Sequence, residues 1–92
     1  MFKITSHKGF HITFENGWTV SVQFGGGNYC ENYDMPIGSE HQAPVLKSKD
    51  AEIAAWDKDG KWFDFGHDEV NGRVDAKYVL KFMNKISKME GK

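Results

Sequence analysis

The sequence predicts an α+β fold, an antiparallel sheet of four or five short strands with one C-terminal helix packed on one face. Three observations carry that prediction. Apolar and polar residues alternate on both sides of "FENGW", the alternation recurs before and after "DKDGK", and the stretch from Asp75 to Met89 switches to helical spacing. The 92 residues form one domain, 1–92, and a hydrophobic share of 39% gives it a modest core that needs no metal or disulfide.

The first element, "MFKITSH", reads as a short strand that turns at Lys8-Gly9. In "GFHITFENGWTVSVQFG" the apolar rows are Phe10, Ile12, Phe14 and then Trp18, Val20, Val22, Phe24. A two-residue Asn16-Gly17 turn would place these rows on opposite faces. A three-residue loop, Glu15-Asn16-Gly17, pairs Phe14 with Trp18, Ile12 with Val20 and Phe10 with Val22, so the pattern selects it. Gly17 then takes the left-handed conformation of the bulge at little steric cost. The same arithmetic applied to "AEIAAWDKDGKWFDF" predicts a Lys58-Asp59-Gly60 loop that opposes Asp57 to Lys61, Ala55 to Phe63 and Ile53 to Phe65. Trp56 and Trp62 fall together on the second face, where aromatic cross-strand pairs stabilise a sheet.

Asp75 is the expected helix N-cap, with Val74 before it and Val79 after it at hydrophobic-staple spacing. The expected apolar stripe is Ala76, Val79, Leu80, Met83 and Ile86, broadened by Phe82 and Met89, and Gly91 is the expected stop. Lys77, Lys81, Lys85 and Lys88 lie opposite and read as a solvated face. The stripe has to bury itself, and the hairpin face is the surface on offer.

Residues 25–50 have little periodicity, and only "PVL" has the character of a brief strand. Long loops in small domains tend to be functional or mobile, which makes this the most informative segment outside the core. It begins with Gly25, Gly26, Gly27 and Asn28, a run that either permits a bend or offers backbone amides to an anion, with Arg73 as a neutralising charge. The run has neither the spacing of a dinucleotide fingerprint nor the lysine of a P-loop.

Composition narrows the function classes. Twelve basic and 13 acidic residues leave a formal charge of -1, and Arg73 is the sole arginine, so nucleic-acid binding is not expected. A single cysteine forms no internal disulfide and no multi-thiolate metal site, which places the chain in the cytosol. The opening "MFKITSHKGFHITF" alternates too early and is too polar to be expected as a signal peptide, and no apolar run reaches the roughly 20 residues of a membrane span. No cofactor is implied. Setting Gly60 at the glycine position of a calcium loop puts Ala55 and Gly66 where ligand carboxylates belong, and the four histidines lack zinc spacing. Cys30 is the one candidate thiol nucleophile, with His41 or His67 as its base.

The segments "NGWTVSVQFGGGNYC" and "AEIAAWDKDGKWFDFG" resemble a group of small phage and prophage proteins. In that group an N-G-W-x-[IV]-S-V-Q-F-G core, an N-Y-C segment and an A-E-[IV]-A-x-W segment recur before a short C-terminal helix. The resemblance covers nearly the whole length. It implies no settled activity and no catalytic residue, and by analogy it implies a modulator that binds host machinery or sequesters a nucleotide signal. The leading expectation is a non-catalytic binding protein that masks a host protein through Tyr29, Tyr33, Met35, His41, Trp56 and Trp62, since such side chains anchor interfaces. A nucleotide or small-anion sponge built on Gly25 to Asn28 and Arg73 is the alternative, and a thiol enzyme using Cys30 the third. A homodimer is expected in each case, because one helix leaves one sheet face bare.

Overall fold

The computed structural model describes residues 1–5, 8–34 and 47–90. Five strands and one helix follow in chain order: β1 (Phe2–Thr5), β2 (Gly9–Thr13), β3 (Thr19–Gln23), β4 (Ala51–Trp56), β5 (Asn71–Val74) and α1 (Ala76–Ser87). The strands form one antiparallel sheet in the order β1-β2-β3-β4-β5, a meander in which each strand lies beside its neighbours in sequence. The fold is α+β, with the helix packed on one face of the sheet.

The first hairpin has the register that the apolar rows require. Ile12 faces Val20 and Phe10 faces Val22, while Phe14 N donates to Trp18 O at 2.9 Å. Gly17 closes the loop with φ 90°. Alternation then sends Trp18, Val20 and Val22 into the core together with Ala51, Ile53 and Ala55 of β4. At the other edge, β1 pairs with β2 through Thr5 opposite Gly9, and Lys8 N donates to Thr5 O at 2.8 Å, so Gly9, expected in the turn, is instead the first residue of β2.

The second hairpin follows its expected register only at the turn. Asp57 N donates to Lys61 O at 2.9 Å, Phe63 N donates to Ala55 O at 2.8 Å, and Trp56 bridges to Trp62. The expected pairing of Ile53 with Phe65 does not form, and residues 63–65 are not the fifth strand. Ile53 pairs instead with Asn71 of β5, the segment leading into the helix. Two local features divert the chain: Gly66 N donates to the Asp64 carboxylate at 2.7 Å in a tight turn, and Phe63 and Phe65 pack against Phe82 of α1. A bulge between Ala51 and Ile53 pairings leaves Arg73 at φ 53°, a left-handed conformation that non-glycine residues adopt at a cost.

The helix begins where expected, with the Asp75 carboxylate accepting from Tyr78 N at 2.8 Å and both Val74 and Val79 in the core cluster. Its buried stripe is turned relative to the sequence reading. Phe82 and Ile86 are buried and Val79, Met83 and Met89 pack beside them, whereas Leu80 is 57% exposed and Ala76 is also exposed. Leu80 lies about 200° around the helix from Phe82, so burying the larger ring among Phe63 and Phe65 turns Leu80 outward. Lys88 is the C-cap, and the expected stop at Gly91 lies outside the described residues. The helix contacts β3 and β4, which leaves Phe2 and Ile4 of β1 exposed on the same side.

Asn16, read from the sequence only as part of the turn, joins the first hairpin to the helix end. Its Nδ2 donates to Ile86 O at 2.8 Å and Met89 O at 2.9 Å, while its Oδ1 accepts from Trp18 N at 3.0 Å. These bonds tie the hairpin loop to one carbonyl of the last helical turn, which also accepts from Met89 N at 3.1 Å, and to one just past the C-cap.

Urea denaturation tests both features. Phe82→Ala is expected to cost about 3–5 kcal/mol and Ile86→Ala about 2–5 kcal/mol, while Leu80→Ala stays within about 0.5 kcal/mol; equal losses at positions 80 and 82 would restore the stripe read from the sequence. Asn16→Asp keeps the side-chain size and the acceptor for Trp18 but removes the donor and sets a negative charge at the helix C-terminus. It is expected to cost about 2 kcal/mol. A change below about 0.5 kcal/mol would show that the clamp contributes nothing.

Candidate functional site

The helix-free face of the sheet is built by the alternate residues of each strand. Lys3 pairs with His11, His11 with Ser21, and Ser21 with Ala54, while Gln23 pairs with Glu52. Polar side chains on this face satisfy one another. Gln23 Nε2 donates to Thr5 Oγ1 at 2.8 Å and to Ser21 Oγ at 3.2 Å, and the Thr13 and Thr19 hydroxyls share a hydrogen bond of 2.8 Å. Trp56 and Trp62 stand at the β4 end with ring centroids 5.0 Å apart and planes tilted by 35°. His11 meets Trp56 edge to face at 5.0 Å. Between these groups lies a concavity of about 250 Å³, lined by His11, Ser21, Gln23, Glu52, Trp56 and Trp62 among others. Partial burial lowers the His11 pKa, and the neighbouring Lys3 ammonium lowers it further, so the fold favours the neutral imidazole.

The loop after β3 supplies the second part of the site. Tyr29 and Tyr33 stack with centroids 5.6 Å apart and planes within 9°, and they are 52% and 42% exposed. Polar side chains hold the loop beside residues 47–50. Asn32 Nδ2 donates to Phe24 O at 2.8 Å and Lys47 O at 3.1 Å, Glu31 N donates to the Asp50 carboxylate at 2.6 Å, and Lys49 N donates to the Glu31 carboxylate at 2.9 Å. On the β5 side, Arg73 N donates to Tyr29 O at 2.8 Å and Arg73 Nη1 to Cys30 O at 3.1 Å. Gly72 is required for this approach, since a Cβ there would stand 2.5 Å from Tyr29 Cβ.

Glu52 joins the two parts, and the sequence reading missed it. Its carboxylate accepts from Asn28 Nδ2 at 3.3 Å and Tyr29 N at 3.4 Å, while the same side chain lines the concavity with Trp56 and Trp62. Alternation from Trp56 places Glu52 on the helix-free face. Its contact with the loop depends on a chain path that has no periodic signal.

Of the residues expected at a partner surface, the structure brings Tyr29 to Tyr33 and Trp56 to Trp62; Met35 and His41 lie outside the described residues. Gly25 N is bonded to Asn28 Oδ1, Gly27 N to Tyr33 O and Asn28 N to Gly25 O, and Gly27 turns with φ 83°. Gly25 and Gly26 are buried, so the run forms a closed bend, and Arg73 bonds not to it but to the carbonyls of Tyr29 and Cys30 that follow. Cys30 is fully buried, and its thiol lies 3.6 Å from Gly25 O. His67 is on another surface, beside Phe65. The Asp57 carboxylate accepts from Asp59 N at 2.9 Å and Lys61 N at 3.0 Å, which is turn chemistry.

No family model matches the chain, and neither a curated protein nor a solved structure does.

The lowered His11 pKa has a defined sign in stability. Well above pH 6.5, the ordinary histidine value, the imidazole is neutral in both the folded and unfolded chain. As pH falls below that value the unfolded state binds the proton first, so stability declines until the folded pKa is passed. His11→Gln is expected to flatten this part of the stability profile, measured by urea midpoints between pH 7.5 and 4.5. An NMR titration placing the His11 pKa at or above that of an unstructured peptide would contradict the assignment.

Proposed function

We propose that the chain is a non-catalytic binding protein whose helix-free sheet face and adjoining tyrosine loop engage another protein. The observation that carries this reading is that Glu52 lines the concavity beside Trp56 and Trp62 and also accepts from the backbone N of Tyr29, in the loop that carries the exposed Tyr29/Tyr33 stack. Trp62 is 40% exposed and Tyr29 and Tyr33 are exposed too, so three large rings present apolar area beside a face on which Gln23, Thr5 and Ser21 are already hydrogen-bonded to one another. Rings held in place by a sheet and a tied loop lose little conformational freedom when a partner covers them. The resemblance to small phage proteins makes a host protein the partner in this proposal.

This reading is favoured over a nucleotide sponge because the amides of Gly25, Gly27 and Asn28 already have acceptors and the loop is flanked by Glu31, Asp50 and Glu52. It is favoured over a thiol enzyme because Cys30 is sealed beneath the loop. Self-association through the same rings is the second reading, since Trp62 stays exposed on a face the helix does not reach.

Immobilised protein is expected to retain a stoichiometric partner from host lysate. Trp62→Ala and the Tyr29→Ala/Tyr33→Ala double variant should each weaken that partner roughly thirtyfold, as loss of about 2 kcal/mol at a hot spot does. Circular dichroism should show both variants folded. Retention unchanged by either variant overturns the site, and light scattering that gives a dimer dissociated by Trp62→Ala assigns the face to a second copy.

A further inference from the structure

We propose that the groove between residues 63–65 and α1 is a binding site for an amphiphilic carboxylate, an apolar chain or ring carrying one anionic head. The groove holds about 470 Å³ and lies on the helix-bearing side, apart from the surface assigned to a protein partner. That volume falls in the range of small-molecule sites, roughly 300–1,000 Å³. Its floor is a cluster of three rings: Phe63 and Phe65 lie 5.1 Å apart, and Phe82 lies 5.5 Å from Phe63 and 5.1 Å from Phe65.

The rim selects the sign of the head group. Lys81 and Lys85 project from α1 along one side, and Lys85 Nζ stands 5.2 Å from the Phe63 ring centroid. The one carboxylate in the lining, Asp64, accepts from Gly66 N at 2.7 Å, so the two ammonium groups outweigh it. A carboxylate at the mouth meets two cations while its apolar tail covers phenyl surface. A cationic ligand would meet like charge. A nucleotide would leave its base edge unmatched, because Tyr78 and the charged groups are the lining residues with polar side chains. The lysines that sequence alone assigns to a solvated face thus divide, with Lys81 and Lys85 serving the groove.

The test is an NMR titration of the ¹⁵N-labelled full chain with octanoate and with octanol, its uncharged counterpart. Octanoate is expected to shift amides of residues 63–65 and 78–85 with saturation in the millimolar range, and octanol to bind at least fivefold more weakly. The Lys81→Gln/Lys85→Gln variant should weaken octanoate about fivefold to tenfold while leaving octanol unchanged, the scale expected for two partly exposed charge contacts. The Lys81→Arg/Lys85→Arg variant should retain octanoate binding. Unshifted Trp62 and His11 resonances establish that the variants are folded, and the octanoate-octanol comparison in the unaltered chain stands without them. Equal affinity for the two ligands, shifts confined to other surfaces, no shifts at millimolar octanoate, or displacement of octanoate by AMP at equal concentration would overturn the proposal.

Discussion

The pairing of Phe14 with Trp18 across a three-residue loop is the constraint that the rest of the structure inherits. Because side chains alternate along a strand, one residue more or fewer in that loop would move Val20 and Val22 to the other face. With the observed register, β3 lies in the middle of the sheet and is covered on both sides. Val20 and Val22 pack under the helix, and Thr19 and Ser21 are buried among the polar groups of the opposite face. The core and the candidate interaction surface are therefore two consequences of one loop length.

The two faces exclude water by different means. Beneath the helix, branched aliphatic side chains and the Phe63, Phe65 and Phe82 cluster fill space. On the other face, Gln23, Thr5 and Ser21 close a hydrogen-bonded set beside the tryptophans, while Lys3 and Glu52 keep charge there. The lowered His11 pKa has its causes in partial burial of the ring and repulsion by Lys3. Polar groups already bonded to one another cost less to cover than free ones.

Features governed by period were legible in the sequence, and features governed by path were not. The first hairpin register, the Trp56-Trp62 apposition and the Asp75 cap all follow from alternation, loop arithmetic or local capping chemistry. Continuing the second hairpin to Phe65 overextended that arithmetic. Past Phe63, the Asp64 turn and ring packing on Phe82 outcompete the ladder, and β5 takes the vacant edge. Most of the expected helix stripe is buried, and only its Ala76 and Leu80 edge fails, because Leu80 and Phe82 both satisfy a hydrophobic pattern and only the ring has a matching aromatic cluster to enter. At the site, the tyrosines and tryptophans stand out by residue type. Glu52, Asn32 and Gly72 do not, because their roles come from where the loop after β3 runs.

The Asn16 clamp also bears on how long the native state persists. Most ladders of the meander join strands close in sequence, whereas Asn16 reaches partners 70 and 73 positions away. Contacts of such separation form once the intervening chain has been ordered, because closing that loop earlier costs more entropy. Helix docking on a preformed hairpin then falls on the native side of the folding barrier. The Asn16 bonds, made on that side, then bear on the rate of escape from the folded state more than on the rate of arrival.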